Sequence, residues 1–203
     1  GWLAGYKSPN GIPVLIGLED ISLTNDDLKA LCAAFGTTSA SPMLHIKGHT
    51  PEGELPSTQD AISTTIMPND LLNLWQKFNT GINKINLVAI GSPHASSAEC
   101  MKFLKLLLEK NQTVIVPTIL TVGRETLAKL RDHGSLNQLS KLGVQVVPDI
   151  CWCSITEPVF PSMTQSLITN SGKYAHYGEG LTGRNIRFGS LSDCAIAALS
   201  GFV

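Results

Sequence analysis

Hydrophobic and polar positions alternate along this chain in blocks of strand length and blocks of helix length. The clearest blocks lie in its middle, where the apolar run 85–91 precedes an amphipathic segment at 96–110. Further apolar runs at 113–119 and 144–150 enclose a helical pattern at 121–134. Strand, helix, strand, helix, strand is the order expected of βαβ units and a parallel sheet. The pattern predicts an α/β fold, a three-layer α/β/α arrangement with a mainly parallel sheet.

The flanking parts show weaker patterns of the same kind. The first part predicts short strands at 12–18 and 42–48 and a Pro/Gly-rich loop at 49–58. It also predicts helices at 24–36, with Thr24 and Asp27 as a capping pair and Gly36 at its end, and at 68–78. Beyond residue 150 the pattern loosens and then recovers in a short strand and a helix that Ser190 and Asp193 can cap. We predict a partial α/β domain over 1–82 and a second α/β domain over 83–203. Because the chain opens on Gly1 and reads like the middle of a protein, we also expect a fragment of a longer chain.

Composition excludes some classes of function. Fifteen basic and sixteen acidic residues give a net charge of −1. This balance lacks the excess of positive charge expected of a protein that binds nucleic acid or a membrane surface. The longest apolar runs have strand length and are too short to span a bilayer. Five scattered cysteines favour a reducing compartment over a disulfide framework, so we expect a cytoplasmic protein.

The cysteines fall into two groups. Cys32 and Cys100 lie in helical stripes of apolar residues, which predicts that both are buried in a core. Cys151 and Cys153 instead follow a predicted strand, at the edge where open α/β sheets bind ligands. Cys194 lies in the first turn of a predicted helix, where the helix dipole favours a thiolate. No C-x₂-C repeat is present, so spacing alone leaves open whether these three thiols bind a metal or are merely buried.

Three polar stretches are candidate sites. "GSPHASSAE" (91–99) is predicted as a turn after a strand, with His94 on it and Ser96 or Ser97 as cap of the next helix, and it can present helix N–H groups to an anion. "HIKGHTPE" (45–52) follows another strand, and here a solvated loop explains the pattern equally well. "TNSGKYAHYGEGLTGR" (169–184) is too polar for a core and too aromatic for a linker, and its glycines allow a ligand to approach the backbone. This last stretch favours a binding site.

Taken together, these motifs resemble a known family. "HIKGHTPE", "LVAIGSPH", "DICWC", "TNSGKYAHYG" and "FGSLSDC" follow one another as in the aconitase X family, and the resemblance spans nearly the whole chain. It implies domains like those of the aconitase superfamily, with this chain as the C-terminal half of the large catalytic part. It also implies a small swivelling domain as partner, fused or separate, which would supply the catalytic base.

The resemblance further implies a hydro-lyase with an iron or iron–sulfur centre, whether a two-iron cluster, a four-iron cluster or a single iron. Its ligands would be Cys151 and Cys194, with a third cysteine expected upstream of residue 1 and Cys153 a variable neighbour. Lys173 and Ser171 are carried over as catalytic residues. The residues expected to bind a small hydroxy-acid substrate are Asn170, His94, Ser92, Thr50 and Arg184.

Members of this family dehydrate either cis-3-hydroxy-L-proline or mevalonate 5-phosphate. The "GSPH" and "CWC" sequences resemble the hydroxyproline group, so cis-3-hydroxy-L-proline is the expected substrate and Δ1-pyrroline-2-carboxylate the expected product. Two alternatives stay open: a mevalonate 5-phosphate dehydratase, and a non-catalytic α/β fragment that needs its missing domains.

Overall fold

A computed structural model describes residues 1–41, 43–54 and 61–203. The chain divides into two compact units, Gly1–Trp75 and Gln76–Val203. Among the described residues, no helix is both long enough and apolar enough to cross a membrane. The domain boundary predicted at residue 82 stays a prediction.

The first unit is built from short elements. Two parallel strands, β1 (Val14–Leu15) and β2 (His45–Ile46), are shorter than the predicted runs 12–18 and 42–48. Pro42 of the second run and residues 55–58 of the predicted loop lie outside the described residues. Its described residues also form α1 (Trp2–Lys7), α2 (Asn25–Phe35), a 3₁₀ turn at Pro51–Glu54 and α3 (Pro68–Lys77), which runs two residues past the unit boundary.

Helix α2 confirms one sequence prediction and corrects another. Thr24 caps it through a reciprocal pair of hydrogen bonds with Asp27, and Gly36 ends it, as predicted. Cys32, however, is exposed, so its assignment to a core stripe is wrong. The helix buries Ala34 and Phe35 instead, which turns the face that carries Cys32 outward.

The second unit contains a five-stranded sheet whose neighbouring strands are all parallel, in the order β5-β4-β3-β6-β7. Its elements are β3 (Leu87–Ala95), α4 (Ser97–Lys110), β4 (Thr118–Val122), α5 (Arg124–Asp132), α6 (Ser135–Lys141), β5 (Val144–Pro148), the 3₁₀ turn Trp152–Ser154, β6 (Ser166–Thr169), α7 (Gly172–Thr182), β7 (Asn185–Phe188) and α8 (Leu191–Ser200).

Helices cover both faces of this sheet, which confirms the predicted three-layer α/β/α arrangement. Helices α4, α5, α6 and α8 share one apolar core with alternate strand residues such as Val88 and Ile168. Helix α7 and the turn Trp152–Ser154 pack against β3, and the pleat directs Leu87 and Ala89 to that second face. Cys100 is fully buried in the first core, as predicted.

Three elements differ from the sequence predictions. Strand β4 begins only after Pro117, because a proline cannot donate to a ladder in the middle of a central strand, so the prediction of a strand at 113–119 starts too early. Strand β3 continues through an irregularity to Ala95, which puts His94 on the strand and not on the turn after it. Helix α7, with its strand β6, forms within residues that the sequence pattern left as loop.

The strand order changes direction between β3 and β6. Successive strands after β3 are added on one side, at β4 and β5, whereas β6 and β7 lie on the other side. In open α/β sheets the crevice at such a switch point, beyond the carboxyl ends of the strands, is where ligands bind. The residues that follow β3 and β6 are therefore the candidates for a ligand-binding site.

Candidate functional site

Ser92 and Ser171 meet at the switch point. Ser92 belongs to the end of β3, and Ser171 is the N-cap of α7, directly after β6. The Ser171 hydroxyl donates to the main-chain carbonyl of Ser92 and accepts a hydrogen bond from the Tyr174 N–H at 3.0 Å. Since both of these bonds are structural and the side chain is buried, Ser171 fixes the start of α7 against β3.

Residues 149–154, here called the cysteine loop, follow β5 at the same edge of the sheet. The loop begins at Asp149, which has a left-handed φ of 58° and donates its N–H to the Val122 carbonyl at 2.8 Å. Its carboxylate accepts from Nε of Arg124 at 2.8 Å and lies 2.7 Å from Nη2. The Arg124 guanidinium holds the pKa of Asp149 below its usual range. This ion pair fixes the beginning of the loop to the start of α5.

Two further contacts hold the cysteine loop against β3. Trp152 is fully buried and its indole N–H donates to the Ile90 carbonyl at 2.9 Å. His94 Nε2 lies 3.1 Å from the Ile150 carbonyl. His94 therefore orients the main chain next to Cys151, and Trp152 keeps the middle of the loop inside the protein.

With Trp152 turned inward, the side chains on either side of it are only half-buried. Cys151 and Lys173 of α7 both lie close enough to the Cys153 thiol to affect its pKa. Burial and the neighbouring Cys151 raise the pKa of the Cys153 thiol, while the Lys173 ammonium opposes that rise. The structure thus brings together two thiols and one ammonium group from the cysteine loop and the first turn of α7.

Two buried hydroxyl groups border this cluster without ordinary partners. Tyr174 is fully buried and packs its ring against Trp152 with centroids 5.5 Å apart, and its hydroxyl has no hydrogen-bond partner within the described part of the chain. Burial and the nearby Cys153 and Cys151 raise the pKa of Tyr174. The Ser92 hydroxyl lies close enough to Cys153 to lower the thiol's pKa, yet it makes no hydrogen bond of ordinary geometry. A buried hydroxyl without a partner lowers the stability of the fold by about 1–3 kcal/mol. Both groups are therefore candidates to form a hydrogen bond with a ligand.

Cys194 has different surroundings. Ser190 and Asp193 form the predicted capping box at the start of α8. The Cys194 side chain is fully buried in the apolar core shared by α4 and α8. Burial and the adjacent Asp193 raise the pKa of its thiol, so the expectation that the helix start favours a thiolate is wrong. The assignment of Cys194 as a metal ligand stays a prediction without structural support.

The remaining predicted substrate residues belong to different elements of the fold. Asn170 joins β6 to α7 and lies beside the cluster in sequence and at the same edge. Arg184 follows the other end of α7, about 16 Å away along an eleven-residue helix, where its Nη2 is 3.5 Å from the Ser162 carbonyl. Thr50 lies in the first unit, where its hydroxyl accepts from the Ile46 N–H at 2.9 Å and closes a turn.

The described residues do not by themselves fit an iron or iron–sulfur centre. Nowhere in the ranges that the structure covers do three His, Cys, Asp or Glu side chains gather as a metal would require. The thiol next to Cys151 is Cys153, whereas Cys194 is enclosed in apolar core. No catalytic step is therefore assigned to a metal.

Sequence reasoning missed Tyr174 and Cys153 as members of this cluster. In the sequence Tyr174 is only one residue of the polar stretch 169–184, and its place in the cluster depends on the formation of α7. The family resemblance predicts Cys153 only as a variable neighbour of Cys151, and the C-x-C spacing is the one local signal that links the two. The Asp149–Arg124 pair joins residues 25 positions apart and leaves no local signal.

Comparison with known families and proteins gives consistent results for both units. Residues 1–76 match the family model described as aconitase X second domain, and residues 85–200 match that described as aconitase X third domain. The chain is 37% identical over 211 residues to a protein of Hypocrea jecorina named cis-3-hydroxy-L-proline dehydratase, covering 100% of this chain and 35% of the relative.

More distant relatives include archaeal proteins. The phosphomevalonate dehydratase large subunit of Thermococcus kodakarensis is 27% identical, over 87% of this chain and 45% of that protein. The crystal structure of Thermococcus kodakaraensis aconitase X in its holo-form superposes with a TM-score of 0.84 at 24% identity. That match covers 97% of this chain and 50% of the crystallised chain, and it shows a shared fold. The chain therefore spans between about a third and a half of these relatives.

Proposed function

The chain belongs to the aconitase X family, and from that premise we propose that its whole protein is a hydro-lyase that dehydrates cis-3-hydroxy-L-proline to Δ1-pyrroline-2-carboxylate. The observation that carries the proposal is the 37% identity to a cis-3-hydroxy-L-proline dehydratase across the full chain. The phosphomevalonate dehydratase relative is only 27% identical, which makes mevalonate 5-phosphate the weaker candidate substrate.

The proposed reaction needs a cation that binds the substrate carboxylate. Lys173 lies in the first turn of α7, where its ammonium group and the partial positive charge of the helix start act together. It is half-buried beside Cys153, so its attraction for an anion is less screened than at an open surface. We propose that Lys173 binds the substrate carboxylate and that the neutral side chain of Asn170, just before α7, donates a hydrogen bond to it.

Loss of the 3-hydroxyl group requires a donor for the departing oxygen. Among the described residues, the buried hydroxyls of Tyr174 and Ser92 lack hydrogen-bond partners and border the cluster, and the raised pKa of Tyr174 keeps that phenol protonated. We propose that one of them donates to the substrate hydroxyl as the C–O bond breaks. Ser171, which sequence reasoning placed among the catalytic residues, is in this proposal a positioning residue, since its hydroxyl is already engaged on both sides.

The proton next to the carboxylate must be removed by a base from elsewhere. We propose that this base belongs to a small swivelling domain, as in the family, and that closure of this domain excludes water from the cluster. The name "large subunit" of the archaeal relative supports a small partner. An iron or iron–sulfur centre stays a proposal from family resemblance, with Cys151 and Cys194 as its implied ligands and a third cysteine from the part of the protein before residue 1.

The experiment is a substrate comparison with the full-length protein and its small domain, prepared under low oxygen. Loss of water from cis-3-hydroxy-L-proline, but not from mevalonate 5-phosphate, is the expected result by mass spectrometry. Iron and sulfide content of the same preparation tests the cofactor. A folded protein that dehydrates neither compound would favour the alternative of a non-catalytic binding scaffold.

A further inference from the structure

Four buried side-chain atoms of the described residues lack a hydrogen-bond partner, and they lie at two opposite edges of the sheet. The hydroxyls of Ser92 and Tyr174 follow the carboxyl ends of β3 and β6, in the cluster at the switch point. The other two atoms, Thr164 Oγ1 and Arg184 Nε, precede β6 and β7 and so lie at the amino ends of these strands. The proposed dehydratase site does not account for this second pair.

Main-chain hydrogen bonds bring Thr164 and Arg184 together. Ser166 and Asn185 are register partners in the parallel pair of β6 and β7, and the Asn185 N–H donates to the Gln165 carbonyl at 3.0 Å. Thr164 and Arg184 come directly before this contact on the two segments. Because neighbouring strands lie about 4.8 Å apart, the two side chains start from adjacent main-chain positions.

The Arg184 guanidinium lies beside the turn that Thr164 ends. The Thr164 N–H donates to the Pro161 carbonyl at 3.0 Å, and Arg184 Nη2 lies 3.5 Å from the Ser162 carbonyl within that turn. A contact of that length is weak for a hydrogen bond, and Nε makes none. Thr164 is only 2% exposed, so its hydroxyl has no access to bulk water either. Both groups therefore lower the stability of the fold unless a ligand binds them.

These donors suit an oxyanion. Nε and Nη2 lie along one edge of the planar guanidinium and can donate together to two oxygens of a carboxylate or a phosphate. The Thr164 hydroxyl can donate to an oxygen of the same ligand. Within the described ranges no carboxylate forms a salt bridge with Arg184, so its charge is available to a bound anion.

We propose that Thr164 and Arg184 bind a small oxyanion, a carboxylate or a phosphate, at the amino edge of the sheet. This site is separate from the cluster at the switch point, because Arg184 and Lys173 lie at opposite ends of α7. The family resemblance assigns Arg184 to the substrate of the dehydratase, whereas the second site gives it a different ligand. The proposal does not depend on the dehydratase activity.

The test is equilibrium dialysis of the full-length protein against radiolabelled phosphate and, separately, radiolabelled acetate, with chloride keeping the ionic strength constant. All proteins carry Lys173→Gln, so that the cluster at the switch point does not contribute its cation. We expect saturable binding of one anion per chain. The anion that binds more tightly identifies the site as one for a phosphate or for a carboxylate.

Three further variants in the same background locate the bound anion. Arg184→Gln should weaken binding by about tenfold or more, the scale of a lost hydrogen bond to a charged group. Thr164→Val keeps the volume of the buried side chain and removes only its hydroxyl, so it should fold and also bind more weakly. Arg131→Gln is the matched control, since Arg131 is exposed on α5, and its affinity should not change.

Two results would overturn the proposal. One is a folded Lys173→Gln protein that binds neither phosphate nor acetate. The other is unchanged affinity in Thr164→Val and in Arg184→Gln, which would indicate an adventitious ion elsewhere on the surface. If Arg184→Gln does not fold, unchanged affinity in Thr164→Val is sufficient to reject the site.

Discussion

The indole N–H of Trp152 donates to the main-chain carbonyl of Ile90 at 2.9 Å, and this bond joins the cysteine loop to the central strand of the sheet. Because Ile90 lies two residues before Ser92, the same bond sets the position of the thiols relative to the switch point. The placement of the site thus depends on one buried side chain that takes no part in chemistry.

Replacing Trp152 tests this dependence. Trp152→Phe keeps most of the buried ring but leaves the Ile90 carbonyl without its donor, so we expect a loss of about 1–3 kcal/mol in the free energy of unfolding. Trp152→Ala also creates a cavity and should cost about 3–5 kcal/mol. Urea unfolding of the two variants measures both values, and equal stability of Trp152→Phe and wild type would contradict the assigned bond.

Asp149 and Arg124 predict a pH dependence. The folded-state pKa of Asp149 is lowered, chiefly by Arg124, so its contribution to stability is present above the ordinary aspartate pKa of about 3.9 and is lost as pH falls through the lowered value. Asp149→Asn tolerates the same left-handed backbone but lacks the charge. The stability difference between wild type and Asp149→Asn should therefore be largest near neutral pH and shrink in acid. A difference independent of pH, in unfolding followed across the acid range, would argue against the ion pair.

Tyr174 provides a test in which stability and activity move in opposite directions. Tyr174→Phe removes a buried hydroxyl that has no partner, so the variant should be as stable as wild type or more stable. In the proposed dehydratase it should lower kcat/KM by about 10²-fold, the scale of one lost proton donor. Reduced stability together with unchanged activity would contradict the proposed donor.

The raised pKa of Tyr174 gives the same variant a second readout at high pH. Because burial disfavours the phenolate, Tyr174 does not make the free energy of unfolding depend on pH below the ordinary tyrosine pKa of about 10; above it the unfolded chain ionises first, and stability falls as pH rises toward the higher folded pKa. Wild type should therefore lose more stability than Tyr174→Phe when the pH is raised above 10, measured by urea unfolding in parallel.

Gly91 sits where β3 departs from regular geometry, with φ of 104°. A Cβ there would collide with the Thr121 carbonyl and lie 2.7 Å from Thr121 Oγ1. Gly91→Ala should therefore cost more than about 4 kcal/mol, which a marginally stable domain tolerates poorly. Gly134→Ala is the matched control, since Gly134 also has a positive φ, 71°, but nothing within 4 Å, so only the backbone cost of about 1 kcal/mol applies. Similar soluble yield and stability for both variants would refute the close approach.

The elements that sequence predicted well are those with local signals. The capping residues Thr24, Ser96 and Ser190 each start a helix within one residue of the expected position, because a cap acts within a single turn. Helix α7 was missed because its glycines and polar residues have low helix propensity. It forms through packing of Tyr174 and Gly178 against the sheet, which no local pattern reports.

The site was likewise predictable only where the sequence carries a local signal. Its edge of the sheet followed from strand order, and Lys173 and Cys151 were assigned from motifs of the family. The neighbours of each thiol were not predictable from spacing: the 3₁₀ turn brings Cys153 to Cys151, and the packing of α8 against α4 encloses Cys194. The packing of α8 against α4 joins residues far apart in sequence, and the position of the turn depends on the hydrogen bond from Trp152 to Ile90.

The most direct test of the central claim, that the cluster at the switch point binds the substrate of a dehydratase, is kcat/KM for cis-3-hydroxy-L-proline in Lys173→Gln. Lys102→Gln is the matched control, because Lys102 is exposed on α4, which packs on the opposite face of the sheet. We predict a loss of at least about 10²-fold for Lys173→Gln, the order expected when a charge partner of the substrate is removed, and no change for Lys102→Gln. A folded Lys173→Gln protein with wild-type kcat/KM would contradict the account.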